Sequence, residues 1–171
     1  MTSISSSSTR RVAMLGLLLC LGLILSYVES LIPLPIGIPG VKLGLANLVV
    51  VVALWQFRVR DALVLSLARI LLAGFLFGSM ASILYSLAGG LLSLLVMTLL
   101  SRAGKLHVIS VSTAGGIAHN AGQLLCAMAV VSNLNLLYYG TVLFVSGLVT
   151  GLVIGVIAGE VLKRIGGAGM T

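Results

Sequence analysis

"IPLPIGIPGVKLGLAN", residues 32–47, gathers all three prolines of the chain, Pro33, Pro35 and Pro39, beside an isolated ammonium, Lys42. On either side the sequence is nearly continuous hydrocarbon: 60% of the 171 residues are hydrophobic, 8% are charged, and the mean hydropathy is +1.26. Ordinary soluble domains carry about 25% charged residues, so this composition excludes a water-soluble globule. Proline removes a backbone donor and clashes with the preceding helical turn. The quoted stretch therefore punctuates a helical membrane chain, and Gly37 and Gly40 leave the connection able to bend.

A hydrocarbon core of about 30 Å takes roughly 20 apolar residues per helical crossing, and this length accommodates about six. The breaks predict crossings at residues 11–32, 41–57, 61–79, 80–101, 111–131 and 137–164. The expected fold is all-α and polytopic, with a disordered polar start at 1–10, a single six-helix domain at 11–164 and a flexible tail at 165–171. The second crossing is short, since about 16 residues reach only some 24 Å.

The net charge of +7 reports topology. Arg10 with Arg11, Arg58 with Arg60, Arg102 with Lys105 and Lys163 with Arg164 fall as pairs between apolar runs, the pattern of short cytoplasmic loops. Six crossings with both termini in the cytoplasm put every pair on that side, whereas a re-entrant second segment would move the later pairs outside. The implied partners of the bases are anionic lipid headgroups in a multi-pass cytoplasmic membrane protein. Without a soluble basic patch interleaved with aromatics, nucleic acid is not expected. The arginine pair and following apolar run resemble a signal peptide, but Val12 to Val28 is long for a signal core and reads as a retained first crossing. Cys20 and Cys126 lie in apolar runs without a shared motif, as buried free thiols do.

Gly147, Gly151, Gly155 and Gly159 recur every four residues in the last crossing. That spacing opens a groove for close helix packing, against this chain or another subunit. The fifth crossing has a comparable stripe, Ala114, Ala118, Gly122 and Cys126, with His119 and Gln123 on an adjacent face.

Ionisable groups within a bilayer are costly unless paired or facing a cavity. Asp61 reads as a cap at the start of the third helix, and Glu160 as the local partner of Lys163 and Arg164. Arg69 lies some 12 Å into the third helix from Asp61, too deep to snorkel easily. Glu29 opposes the dipole at the end of the first helix, and Lys42 does so at the start of the second. One resolution pairs Glu29 with Lys42 or Arg69 as a structural bridge. The other makes Lys42, Asn47, Arg69, Tyr85, His119, Asn120 and Gln123 the lining of a polar cavity, with Glu29 and the proline segment as its gate. Two cationic groups, an imidazole and carboxamides suit an anionic or strongly polar small molecule.

Catalysis is not expected. Diphosphate chemistry needs clustered carboxylates to hold magnesium, and the chain has three acidic residues, far apart. There is no P-loop, no acid beside His119 to complete a nucleophilic arrangement, and no reason to expect a cofactor or metal.

The segments "IPGVKLGLANLVVVVALW", "ARILLAGFLFGSMASILYSLAGGLLS" and "GGIAHNAGQL" resemble the Gx transporter family, labelled heptaprenyl diphosphate synthase component I. That family is similar to the S-components of energy-coupling factor (ECF) transporters. The resemblance implies a six-helix protein that captures a nutrient from outside beneath the loop between helices 1 and 2. It also implies a transmembrane coupling subunit and two cytoplasmic ATPases as partners. The alanine motif by which S-components dock through their first helix is replaced here by Ala13, Gly16 and Cys20. The alternative role is a non-catalytic membrane accessory subunit in isoprenoid or prenyl diphosphate metabolism.

Overall fold

A computed structural model describes residues 3–32, 44–104 and 106–165, with side chains from residue 9 onward. These form six α-helices and one short 3₁₀ turn: α1 (Ser3–Ser30), α2 (Asn47–Gln56), α3 (Val59–Phe77), α4 (Met80–Arg102), α5 (Val108–Val131), the turn Leu134–Tyr139, and α6 (Gly140–Ile165). Pro33, Pro35, Pro39 and Lys42 lie outside the described residues, as do 166–171 of the expected tail.

Each break has a local cause. Gly44, at φ +88°, turns the chain into α2, a conformation that costs other residues strain. Between α2 and α3, the Asp61 carboxylate accepts the Arg58 N–H at 3.1 Å and the Arg11 guanidinium, so the expected cap is formed and also ties α1 to α3. Ser79 and Ser82 cap α4 reciprocally. Gly104 and Ser132 adopt left-handed φ values of 69° and 52° after α4 and α5.

Among the described residues, four helices are long and apolar enough to cross a membrane: Thr9–Ser30, Met80–Arg102, Val108–Val131 and Leu134–Ile165. The other two differ from expectation. α2 has ten residues, about 15 Å of rise, and is almost wholly buried from Asn47 to Leu54. α3 has 19 residues but carries Arg60, Asp61 and Arg69, which offset its apolar character. Helix α1 begins at Ser3; once an apolar segment has nucleated a helix, adding a residue at its end is inexpensive.

Packing explains the difference between α2 and the rest. Val49 to Ala53 form the centre of the core with Ala62, Leu65, Leu94, Met97, Val111, Ile154, Ala158 and Leu162. The outward faces of α1, α3, α4 and α6 are exposed hydrocarbon, including Leu17, Val64, Phe75, Leu95, Leu99, Val142, Val149 and Val156. Such large apolar surfaces suit lipid contact. The glycine stripe of α6 finds its partner within the chain. A Cβ added at Gly147 would lie 2.7 Å from the Gly116 carbonyl oxygen, at Gly151 2.8 Å from that of Ser112, and at Gly155 2.7 Å from the Ile109 Cα. Ser112 Oγ donates across this seam to the Gly151 carbonyl at 2.8 Å. Gly159 departs from the expected series, with nothing within 4 Å of an added Cβ, because α6 has by then run past the N-terminal end of α5.

Candidate functional site

Gly22, Ser26 and Glu29 follow at intervals of four and three on α1, placing them on one helical face, and all three are buried. The Arg69 side chain of α3 crosses that face where Gly22 has no side chain; an added Cβ would stand 2.9 Å from Arg69 Cδ and 3.0 Å from Val49 Cγ2. Arg69 as a whole is only 6% exposed. Its Nη1 donates to Ser26 Oγ at 3.5 Å, and Nε has no partner among the described residues.

Glu29 and Arg69 are both buried, yet the two are not an ion pair. Among the described residues, the ion pairs are Arg11 with Asp61, and Glu160 with Lys163 and Arg164 at 3.5 and 3.7 Å. The Glu160 pairing is the expected one; the Glu29–Arg69 bridge is not formed, and the Lys42 alternative lies outside the described residues. Glu29, 4% exposed, accepts the Gly44 N–H, and the Leu45 N–H at 3.4 Å. A carboxylate that opposes its own helix dipole thus gains the amides of a neighbouring turn, whose partial positive charge it complements.

Gly44 rests against His119. A Cβ there would be 3.2 Å from His119 Cδ2, a tight approach to the ring, and the positive φ is what favours glycine. Gln123 Nε2 donates to His119 Nε2 at 3.0 Å. Gly89 of α4 lies against the same pair, an added Cβ falling 2.6 Å from the His119 carbonyl oxygen and 2.9 Å from Gln123 Cγ. Asn47, three residues beyond Gly44, donates to Ser93 Oγ at 3.1 Å and joins α2 to α4.

The buried groups Arg69, Ser26, Glu29, Gly44, His119 and Gln123 therefore lie along a polar path from α3 across α1 and the turn before α2 to α5, hydrogen-bonded at Arg69–Ser26, Glu29–Gly44 and Gln123–His119 and joined between these by helix spacing and packing. Three expected members among the described residues sit apart from it: Asn47, bonded to Ser93 as above, and two others. Asn120 faces α6, donating to the Leu143 carbonyl at 2.7 Å beside Gly147. Tyr85 belongs to an apolar cluster with Leu124, Ala127 and Leu143. No group of three His, Cys, Asp or Glu among the described residues could hold a metal ion.

Residues 18–161 match the family model described as heptaprenyl diphosphate synthase component I. The chain belongs to this family. No curated protein and no solved structure matches it. Every member of the polar path falls inside the span shared with component I proteins, whereas the basic pairs at Arg10 and Lys163 fall outside it. Sequence reasoning missed Gly22, Ser26, Gly44 and Gly89. The spacing of Gly22, Ser26 and Glu29 was a readable signal in "GLILSYVE", because small and polar residues there share a face within an apolar helix. Nothing local marks Gly89 as the floor beneath His119, since that contact joins different helices.

Proposed function

We propose that this component I protein is a non-catalytic, membrane-embedded binding subunit that captures a small polar or anionic solute, as ECF S-components do. The observation that carries the reading is Arg69. An arginine at helix-centre depth costs about 2.5–3.5 kcal/mol to insert, and here its main protein contact is one long hydrogen bond to a hydroxyl. Retaining a cation at that depth with donor capacity to spare is explained by an anion that completes it. Arg69 supplies the charge, His119 and Gln123 supply polar contacts, and Glu29 holds the turn at Gly44 over them. The proline segment and Lys42 are the proposed gate and second cation.

The membrane topology proposed with this function has six passes and both termini in the cytoplasm. α2 and the segment before it make the second pass, and α3 makes the third. The exposed side of α1 supports an energising partner: Ala13, Gly16 and Cys20 are exposed, and nothing lies within 4 Å of a Cβ at Gly16. A helix of a coupling subunit can approach such a stripe closely, with two ATPases beneath it.

The family description favours a second reading, an accessory subunit in prenyl diphosphate metabolism. Affinity purification of the intact protein from native membranes separates the two. Co-purification of a coupling subunit and ATPases supports solute uptake. Co-purification of a prenyl-chain enzyme, with no energising module, overturns it.

A further inference from the structure

The shape of the free donor edge on Arg69 narrows the class of solute. A guanidinium offers two edges for paired hydrogen bonding, one formed by both terminal nitrogens and one formed by Nε with Nη2. Ser26 Oγ occupies Nη1 and so takes up part of the end-on edge. Nε, enclosed and without a partner among the described residues, lies on the other edge together with Nη2. That edge presents two parallel N–H groups in one plane, the arrangement that matches the two oxygens of a carboxylate or two oxygens of a phosphate.

Charge discriminates between these two. Glu29 is buried about one turn along α1 from the Ser26 hydroxyl that Arg69 contacts, its carboxylate engaged by the Gly44 and Leu45 amides. A monoanion adds one negative charge beside Glu29. A phosphate monoester brings close to two at neutral pH, and the second is opposed by Glu29 in a medium where charges interact strongly.

Resting on the binding function proposed above, we infer that the solute presents a carboxylate, as a planar monoanion, side-on to the Nε and Nη2 edge of Arg69. Neutral amides of the same skeleton lack the charge, and esters lack both the charge and one acceptor geometry, so both are excluded. Lysine at this position keeps the charge but offers a point donor in place of the fork.

The test is thermal unfolding of the full chain in detergent, titrated with benzoate and hexanoate, with benzamide, hexanamide and methyl benzoate as neutral counterparts, and with phenyl phosphate. The expected result is concentration-dependent stabilisation by the carboxylates alone, with Arg69→Lys weakening their apparent affinity by at least about tenfold. Stabilisation by benzamide or methyl benzoate equal to that by benzoate overturns the inference on the ligand side, whatever the stability of the variant. Stabilisation by phenyl phosphate in preference to benzoate, lost in Arg69→Lys, overturns the carboxylate assignment while leaving the anion-binding function standing. If no probe stabilises the folded protein and protein purified from native membranes retains no polar solute by native mass spectrometry, the inference and the binding function fall together.

Discussion

Replacing Gly151 with alanine drives one methyl group into the backbone of α5. The added carbon would lie 2.8 Å from the Ser112 carbonyl oxygen, 2.8 Å from the Thr113 Cα and 3.0 Å from the Thr113 carbonyl oxygen. All three obstacles are main chain, so no side chain can swing away, and α5 and α6 must part by about half an ångström, enough to forfeit a quarter or more of the contact energy along the seam. Overpacking of this kind costs about 1–3 kcal/mol. Stretching the bond from Ser112 Oγ to the Gly151 carbonyl adds about 0.6 kcal/mol, and the better helix propensity of alanine returns about 1 kcal/mol. The net loss is about 0.6–2.6 kcal/mol, which for a chain of this size lowers Tm by roughly 1–10 °C. The control is Gly159→Ala, two turns along the same stripe, where nothing lies within 4 Å of the new carbon. Only the propensity gain operates there, so Tm stays level or rises by up to about 3 °C. Circular dichroism melts of both variants in one detergent decide the matter. Equal destabilisation by the two substitutions would refute the assignment of the seam to α5, because a subunit contact along the whole stripe would then be needed.

Gly44→Ala combines a left-handed backbone at φ +88° with a contact 3.2 Å from the His119 ring; the conformation alone costs about 1–2 kcal/mol, and a melt unchanged within error would contradict it. Asn120→Ala removes the bond to the Leu143 carbonyl and is expected to cost about 0.6 kcal/mol, at most about 1.7, while leaving solute affinity unchanged, since its amide faces α6; loss of binding in this variant would return Asn120 to the solute site. Glu29→Ala frees the Gly44 and Leu45 amides, and hydrogen exchange at those two positions accelerates while α4 and α5 stay protected. Glu160→Gln breaks two exposed ion pairs and changes stability by less than about 0.5 kcal/mol in the same melts.

Each polar feature of this chain was visible in the sequence as a conflict with its surroundings, and some conflicts resolve locally. Asp61 sits three residues from the amide it caps and Glu160 within one turn of its basic partners, so chain geometry alone was sufficient to pair them. Glu29 and Arg69 show where this reasoning stops. Opposite charges in an apolar chain suggest a bridge, but the bridge was one of several arrangements compatible with the same residues. The fold gives Glu29 the amides of Gly44 and Leu45 and gives Arg69 a hydroxyl on α1, a choice made by where α1 meets α3 and the turn before α2.

What the sequence determined by itself is the helical membrane character, the positions of the breaks and the presence of misplaced polar groups, because helix length, proline, glycine and hydrocarbon content act within a few residues along the chain. What the tertiary structure decided is which helices are shielded and which small residues touch. Ten-residue α2, rich in valine, is enclosed in the core, whereas the long apolar helices α1 and α6 each leave one side exposed. Gly151 and Gly159 have the same repeat in the sequence, yet only Gly151 meets a backbone, since α6 extends beyond the end of α5. Hydrophobicity drives a segment out of water without specifying whether lipid or protein replaces it; that choice belongs to the long-range packing of the bundle.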